Sequence, residues 1–279
     1  MTRNLKFLAF VVLSLIPFGG LLYDLAQLAI RDERYSHIAL IPLISASILY
    51  LRRREIFANP RYAAGAGIAG LLLAAAGYWL AAVVSPAGAG IESLSLRTPA
   101  LALTWAAGFL LCYGPGALAS ARFPFLFLLL MIPIPPAALG KVISVLQWGS
   151  AELAYAWFQL SGEAVFREGY VFSLPGLSIE IASQCSSIRS SQTLIISGIL
   201  AGHVFLQSGW RKVLLSALTV PVAMFTNSVR IVTLSLLAIR VDPGFLYGDL
   251  HHRGGALFAL IALSIVLGAL LLLYRSEAR

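Results

Sequence analysis

Three short polar stretches stand out in this sequence because each carries a side chain with reactive or charged chemistry. Residues 184–192 read Gln-Cys-Ser-Ser-Ile-Arg-Ser-Ser-Gln and contain Cys185. Residues 227–230 read Asn-Ser-Val-Arg and end at Arg230. Residues 249–255 read Asp-Leu-His-His-Arg-Gly-Gly and contain His251. Together the three stretches supply a thiol, a guanidinium and an imidazole.

These three groups, if they meet, have the chemistry of acyl transfer. Cysteine attacks as the thiolate, and a nearby cation or a helix N-terminus lowers the pKa of the thiol. Histidine can move a proton between a thiol and a leaving amine. Arginine stays charged at any workable pH and stabilises an oxyanion. Arg189 lies one helical turn after Cys185 on the same face and is a candidate second anion clamp.

Each residue also has a purely structural interpretation. A cysteine in an apolar protein is often an inert small hydrophobe; for Cys185 alone the two interpretations weigh evenly, and for Cys112 the inert one is favoured. His203 is expected to be a packed core residue. The adjacent His251 and His252 do not easily face one ion and no third ligand is suitably spaced, so neither a metal nor another cofactor is predicted.

The composition places the chain in a membrane. Its 279 residues are 59% hydrophobic and 11% charged, with a mean hydropathy of +0.86, whereas soluble domains carry roughly 25% charged residues. A disordered chain, a coiled coil and a disulfide-rich secreted scaffold are excluded on the same ground. The 20 Lys and Arg outnumber the 12 Asp and Glu, but they occur in short clusters between apolar runs, so no nucleic-acid partner is expected.

The apolar runs predict an all-α polytopic protein of about eight transmembrane helices, since a span needs about 20 largely apolar residues. Neither a repeat nor a flexible linker interrupts them, so residues 1–279 are predicted to form a single membrane domain. The predicted spans are Leu5–Tyr23, Ser36–Leu51, Ala63–Val84, Pro99–Ala119, Phe123–Leu139, Ser187–Gln207, Val213–Ile239 and Gly254–Tyr274.

The basic residues predict that both termini are cytoplasmic, because short cytoplasmic loops collect Lys and Arg. This orientation places eleven of the twenty basic residues inside, together with the acidic Glu55 and Glu277. The eleven are Arg3, Lys6, Arg52, Arg53, Arg54, Arg61, Arg122, Arg211, Lys212, Arg275 and Arg279.

Residues 140–184 depart from the pattern of spans. Lys141–Leu160 has helical periodicity but carries several polar side chains, which is typical of an amphipathic helix lying at the outer interface. These side chains are Lys141, Gln147, Glu152 and Gln159. Residues 169–182 alternate on either side of Pro175-Gly176, which predicts a β-hairpin. The hairpin should be extracytoplasmic or covered by protein, because open strand edges cannot face lipid.

Helix rise predicts that the three polar stretches share one depth. Arg230 lies 17 residues beyond Val213, about 25 Å along a helix that starts at the cytoplasmic face. Cys185 and His251 each precede a span that runs inward. All three are therefore expected at the extracytoplasmic boundary. His203, 18 residues beyond Cys185, is expected about 27 Å lower.

The order and spacing of these motifs resemble those of the exosortase/archaeosortase family of membrane transpeptidases. In the string 185–190, Ser187 stands where the commoner family pattern has Gly. His251, rather than His252, is matched to the family histidine because Gly255 follows it at the family interval. The resembling strings are 35–42 (Tyr-Ser-His-Ile-Ala-Leu-Ile-Pro), 185–190 (Cys-Ser-Ser-Ile-Arg-Ser), 227–231 (Asn-Ser-Val-Arg-Ile), 132–135 (Ile-Pro-Ile-Pro) and 167–169 (Arg-Glu-Gly).

The resemblance implies a thiol peptidase and transpeptidase of the cell inner membrane. Such enzymes cleave C-terminal sorting signals of exported proteins, in which a short motif, often Pro-Glu-Pro, precedes a hydrophobic helix and a basic tail. By position, Cys185 would form the thioester, Arg230 would stabilise the oxyanion and His251 would act as acid and base. Arg189 and Asn227 are expected to bind substrate. The expected partners are exported proteins that bear the signal, and membrane lipid.

Two other classes of protein remain open at this point. In a transporter or polysaccharide-export component, Arg230 and His251 would line a pathway. Such a pathway is expected to place polar residues through the whole depth of the bilayer, whereas here they crowd at one end. A noncatalytic chaperone of membrane substrates is the third class, and, like a transporter, it would tolerate Cys185→Ala.

Overall fold

The computed structural model describes residues 3–58, 61–85, 90–181, 188–246 and 255–277. The chain divides into two compact units, Met1–Ala138 and Leu139–Arg279. Helices dominate both, and the second unit also contains a small sheet. The single domain over residues 1–279 stays a prediction.

The first unit is helical throughout its described part, and its longest helices pack as a close pair. These two helices are α5 (Ala64–Val84) and α6 (Ile91–Ser120). A Cβ atom added to Gly67 of α5 would meet Leu111 of α6, and one added to Gly70 would meet Ala107. Small residues thus allow the close approach. The elements are α1 (Arg3–Ser14), α2 (Gly19–Arg31), a 3₁₀ helix (Glu33–Ala39), α3 (Leu40–Leu51), α4 (Arg53–Ile56), α5 (Ala64–Val84), α6 (Ile91–Ser120), α7 (Arg122–Phe127) and a second 3₁₀ helix (Leu128–Met131).

Basic residues gather at one end of this unit, around a kink in α6. Gly114 there has a φ of +84° and precedes Pro115, which has no N–H to donate. The carbonyl of Tyr113 accepts a hydrogen bond of 3.0 Å from the backbone nitrogen of Arg61. The guanidinium of Arg3 lies 4.3 Å from the ring centre of Tyr62. This grouping agrees with the predicted clustering of Arg3 and Arg61 on one side of the membrane.

The second unit combines a long helix, a sheet, three further α-helices and a short 3₁₀ helix. Its three antiparallel strands are β1 (Phe166–Glu168), β2 (Val171–Leu174) and β3 (Leu177–Glu180). They lie in the order β1-β2-β3, with Val171 paired to Glu180. The predicted hairpin around Pro175-Gly176 is confirmed, and Gly176 has the positive φ, +75°, that the turn requires. The elements are α8 (Pro136–Leu160), β1 (Phe166–Glu168), β2 (Val171–Leu174), β3 (Leu177–Glu180), α9 (Ile188–Phe205), α10 (Gly209–Arg240), a 3₁₀ helix (Pro243–Leu246) and α11 (Gly255–Glu277).

The predicted count of eight spans is not confirmed. Among the described residues, five helices are long and apolar enough to cross a membrane, or up to seven if each of two bent pairs is one span. The five are Glu33–Leu51, Ala64–Val84, Ile91–Ser120, Gly209–Arg240 and Gly255–Glu277.

Proline explains why two predicted spans are not straight helices. Leu5–Tyr23 is broken into α1 and α2, which are bent by 77° around the segment that contains Pro17. Phe123–Leu139 is interrupted at residues 132–135, between the 3₁₀ helix that ends at Met131 and α8. A proline cannot donate its backbone hydrogen bond and disfavours helix in the residue before it. The predicted span Ser187–Gln207 does form a helix, α9, but the polar residues of its first turns keep it below the hydropathy of the five spans.

Candidate active site

Arg230 is positioned by α10, the longest helix of the second unit. It lies 11 residues beyond Thr219, about three helical turns, and therefore on the same face of α10. Thr219 packs against Gly198 of α9, since a Cβ atom added to that glycine would meet the Thr219 side chain. Arg230 is partly buried, and its face is the one that packs against α9.

The packing of α9 against α10 sets the level of Arg230. The two helices are antiparallel, because Gly198 lies against Thr219 and Gly202 lies against Lys212 and Leu215. Ile188 lies ten residues before Gly198 on α9, and Val229 lies ten residues after Thr219 on α10. The two are therefore about equally far from the contact between Gly198 and Thr219. Ile188, where the described part of α9 begins, thus lies about level with Arg230.

The beginning of α11 reaches the same level. At its far end, the carboxylate of Glu277 accepts hydrogen bonds from the backbone nitrogens of Gln207 and Ser208, at 2.8 and 2.6 Å, and from Arg211 at 3.2 Å. Gly255 lies 22 residues before Glu277, about 33 Å along the helix. Arg230 also lies 22 residues beyond Ser208, and therefore the same distance along α10. Three helices therefore bring Ile188, Arg230 and Gly255 to one level.

Helix α8 completes the surroundings of α10 below Arg230. The side-chain nitrogen of Asn227 donates a hydrogen bond of 3.1 Å to the hydroxyl of Ser150, and the two residues are 4% and 1% exposed. One turn earlier on α8, the side-chain nitrogen of Gln147 donates to the backbone oxygen of Ile181 at 2.5 Å. Ile181 belongs to the same buried cluster as Val232. The residue that follows β3 is therefore held beside α10.

A comparison with known families covers most of these elements. The sequence model described as transmembrane exosortase (Exosortase_EpsH) matches residues 29–268 of the 279. The chain belongs to the transmembrane exosortase family. No curated protein and no solved structure matches it. The family match includes all three polar stretches, so the resemblance predicted from their residues is confirmed.

The structure describes only some of the predicted catalytic residues of this exosortase. Cys185, with Ser187, and His251, with His252, lie outside the described residues. Arg230 is partly buried at the level derived above. Their roles stay predictions.

The two predicted substrate-binding residues differ in exposure. Arg189 is exposed in the first turn of α9. Asn227 is buried and engages Ser150 within the protein. Substrate binding by either residue stays a prediction.

The remaining histidine and cysteine of interest lie away from this level. His203 is 15 residues beyond Ile188, about 22 Å along α9, which agrees with its predicted separation from the site. Cys112 is buried in a cluster with Phe109 and Tyr113 of the first unit. Within the described ranges, no group of three His, Cys, Asp or Glu side chains is placed to hold a metal ion.

Two of the other exosortase-like strings contact each other in the first unit. The hydroxyl of Tyr35, which is 1% exposed, donates to the backbone oxygen of Ile134 at 3.0 Å. The hydroxyl of Ser95 donates to the neighbouring oxygen of Pro133 at 2.7 Å. The prolines leave these carbonyls without helical partners, and Tyr35 and Ser95 satisfy them. These contacts give the two strings a structural role.

The Arg-Glu-Gly string also has a structural role, in the second unit. Arg167 pairs with Glu152 of α8 at 2.9 Å and donates to the backbone oxygen of Gly169 at 2.8 Å. Its guanidinium lies 5.5 Å from the ring centre of Phe172, which is fully buried under α8. Arg167 thus attaches the sheet to α8.

Sequence reasoning did not single out Ser150 or assign Gln147 to the site. Gln147 served only as one of the polar residues that marked α8 as amphipathic, and a serine in a helix carries no signal for a buried partner 77 residues away. Their contacts depend on tertiary packing, which spacing along the sequence does not reveal.

Proposed function

We propose that this exosortase is a membrane-embedded cysteine peptidase and transpeptidase that cleaves C-terminal sorting signals of exported proteins. Cys185 is the nucleophile, Arg230 stabilises the oxyanion and His251 is the general acid and base. The released acyl group passes from a thioester on Cys185 to an acceptor nucleophile.

The observation that carries this proposal is the convergence of described residues on Arg230. Ile181 is packed in one cluster with Val232, and Ile188 lies level with Val229. Cys185 lies between them, three residues before Ile188, and three extended residues span no more than about 11 Å. His251 is four residues before Gly255, within about 14 Å by the same limit. These chain lengths allow both groups to reach the guanidinium, as the proposal requires.

The proposed reaction proceeds in two acyl transfers. The Cys185 thiolate attacks the scissile carbonyl carbon, and the oxygen that becomes negative is stabilised by the Arg230 guanidinium. The C–N bond then breaks as His251 donates a proton to the leaving amine. An acceptor N–H or O–H next attacks the thioester carbonyl, loses its proton to His251, and displaces the Cys185 thiolate. Each bond broken is matched by one formed, and histidine returns to its starting protonation state.

The charges of the second unit support an extracytoplasmic site in a multi-pass inner-membrane protein. Arg211 and Glu277 form an ion pair at the end of the bundle opposite Arg230, with Lys212 and Arg275 beside them in sequence. Since basic residues mark the cytoplasmic side, Arg230 faces the other side. The hydrophobic helix of the substrate would stay in lipid, next to apolar side chains that α11 leaves exposed, such as Leu260 and Leu272.

Thiol substitution tests this function. The protein is co-expressed with an exported substrate that ends in the motif, apolar helix and basic tail, and the cleaved fraction is measured. Cys185→Ala should abolish cleavage, while the matched control Cys112→Ala should retain it. A hydroxylamine-sensitive adduct between substrate and enzyme is expected only with Cys185 present. Undiminished cleavage by Cys185→Ala would overturn the proposal and favour a transporter or chaperone.

A further inference from the structure

One face of α8 makes two polar contacts that lead to different parts of the proposed active site. Gln147 and Ser150 are three residues apart, so they lie on neighbouring positions of one helical face. Gln147 holds the backbone oxygen of Ile181 at 2.5 Å. Ser150 holds the side-chain nitrogen of Asn227 at 3.1 Å.

Each contact is close in sequence to a proposed catalytic residue. Ile181 precedes Cys185 by four residues, and its own backbone nitrogen is held by the carbonyl of Tyr170 at 2.9 Å. Asn227 precedes Arg230 by three residues on one rigid helix, a rise of about 4.5 Å. Helix α8 therefore links the segment before Cys185 to the helix that carries Arg230.

We propose that Gln147 and Ser150 are positioning residues that set the separation between the Cys185 thiol and the Arg230 guanidinium. The inference rests on the proposed function, because it assigns α8 a role in that same site. Neither residue needs to touch the substrate. Their effect comes through the backbone of Ile181 and the side chain of Asn227.

Other contacts hold α8 in place, so these two hydrogen bonds are not needed for its folding. Ala151, Ala154 and Phe158 of α8 are buried in one apolar cluster with Phe172 and Val232. On the exposed side, Glu152 pairs with Arg167. Removing either hydrogen bond should therefore leave the sheet, α8 and α10 packed while loosening the local geometry of the reacting groups.

Misplacement of reacting groups by about 1 Å can lower a catalysed rate by about 100-fold. We therefore expect Gln147→Ala and Ser150→Ala each to lower kcat for cleavage of a tailed substrate by about 10- to 100-fold, with KM changed less than about twofold. Because both act on one separation, the double variant should be little slower than the slower single variant, as for residues that act as a unit.

Two exposed residues of the same helix provide matched controls. Gln159→Ala and Ser144→Ala remove the same side-chain types from exposed positions and should keep wild-type kcat. Gln147→Glu keeps the size of the side chain but removes the donor at neutral pH, so it should be as slow as Gln147→Ala. Ser150→Thr keeps the hydroxyl and should recover most of the rate lost in Ser150→Ala.

The outcomes separate this inference from the function on which it rests. If Cys185→Ala abolishes cleavage but Gln147→Ala and Gln147→Glu keep wild-type kcat, the positioning role is wrong and the function stands. If the Ala variants lose rate only in proportion to lost folded protein, measured by thermal unfolding in detergent, the positioning role is also overturned. If Cys185→Ala cleaves normally, the proposed function itself fails.

Discussion

The carboxylate of Glu277 at the end of α11 accepts a hydrogen bond of 2.6 Å from the backbone nitrogen of Ser208, immediately before α10. Gln207 and Arg211 donate to the same carboxylate. One side chain therefore joins the end of α9, the beginning of α10 and the end of α11. This junction fixes the register in which the other ends of α9 and α11 lie level with Arg230.

Glu277→Ala should lower the melting temperature of the detergent-solubilised protein by several degrees, because two backbone nitrogens and Arg211 lose their acceptor. Cleavage of a tailed substrate should slow as well, since the register of the bundle is loosened. Glu55→Ala is the matched control, because Glu55 is 65% exposed and pairs only with Arg52 among its described contacts. Equal melting temperatures for wild type and Glu277→Ala would contradict the proposed role of the junction.

Gly67→Ala should destabilise the first unit, because the added Cβ would collide with the backbone of Leu111 on α6. Overpacking of this kind costs about 1 to 3 kcal/mol. Gly77 lies on the same helix with open space at its Cβ position, so Gly77→Ala should be neutral or stabilise by up to about 1 kcal/mol. Unfolding in mixed micelles measures both changes. The close packing of α5 and α6 would be refuted if the two variants were equally stable.

Tyr35→Phe should lower the free energy of unfolding by about 0.5 to 1.5 kcal/mol, because the hydroxyl no longer donates to Ile134. Tyr50→Phe, at a residue 66% exposed, should leave unfolding unchanged. Cleavage per folded molecule should be the same in both variants if the string 35–42 acts through the fold. A loss of kcat in a fully folded Tyr35→Phe protein would instead give that hydroxyl a part in the chemistry.

Arg230→Ala should lower kcat for cleavage by about 100- to 1000-fold, the usual cost of removing one oxyanion donor. Arg230→Lys should recover part of this loss, since it keeps the charge without the planar fork of donors. Arg240→Ala serves as the control on the same helix, because Arg240 is largely exposed and pairs with Glu163 at 2.7 Å, a surface contact worth little. Normal turnover by Arg230→Ala would remove arginine from the mechanism.

Composition and periodicity were sufficient to predict the polytopic helical class and the hairpin. The hairpin was predictable because alternating residues and Pro175-Gly176 act locally, and the turn forms there as expected. The strand Phe166–Glu168 was missed because a segment of three residues is too short to show alternation. It is defined by its antiparallel pairing with β2, which the sequence of the segment does not reveal. Local signals thus predict local structure.

The breaks in the spans were less predictable from hydropathy. Pro17 lies inside an apolar run. The mean hydropathy of that run is set by its apolar residues and does not reveal that proline lacks the N–H needed for a helical hydrogen bond. The motif residues themselves indicated the family, which the family comparison confirms. The contacts of Ser150 with Asn227 and of Gln147 with Ile181 could not be predicted, because they join residues 77 and 34 positions apart.

The length of α10 has a consequence for the depth of the proposed cleavage site. Its 32 residues extend about 48 Å, whereas the hydrocarbon layer is only about 30 Å thick. In the proposed orientation, with Arg211 at the inner surface, the turns that follow Arg230 rise beyond the lipid tails, and Val232 there packs in one cluster with residues of α8 and the sheet. A sorting signal bound there could keep its hydrophobic helix in the bilayer while the bond to be cleaved lies above the hydrocarbon layer, within reach of water and of an acceptor.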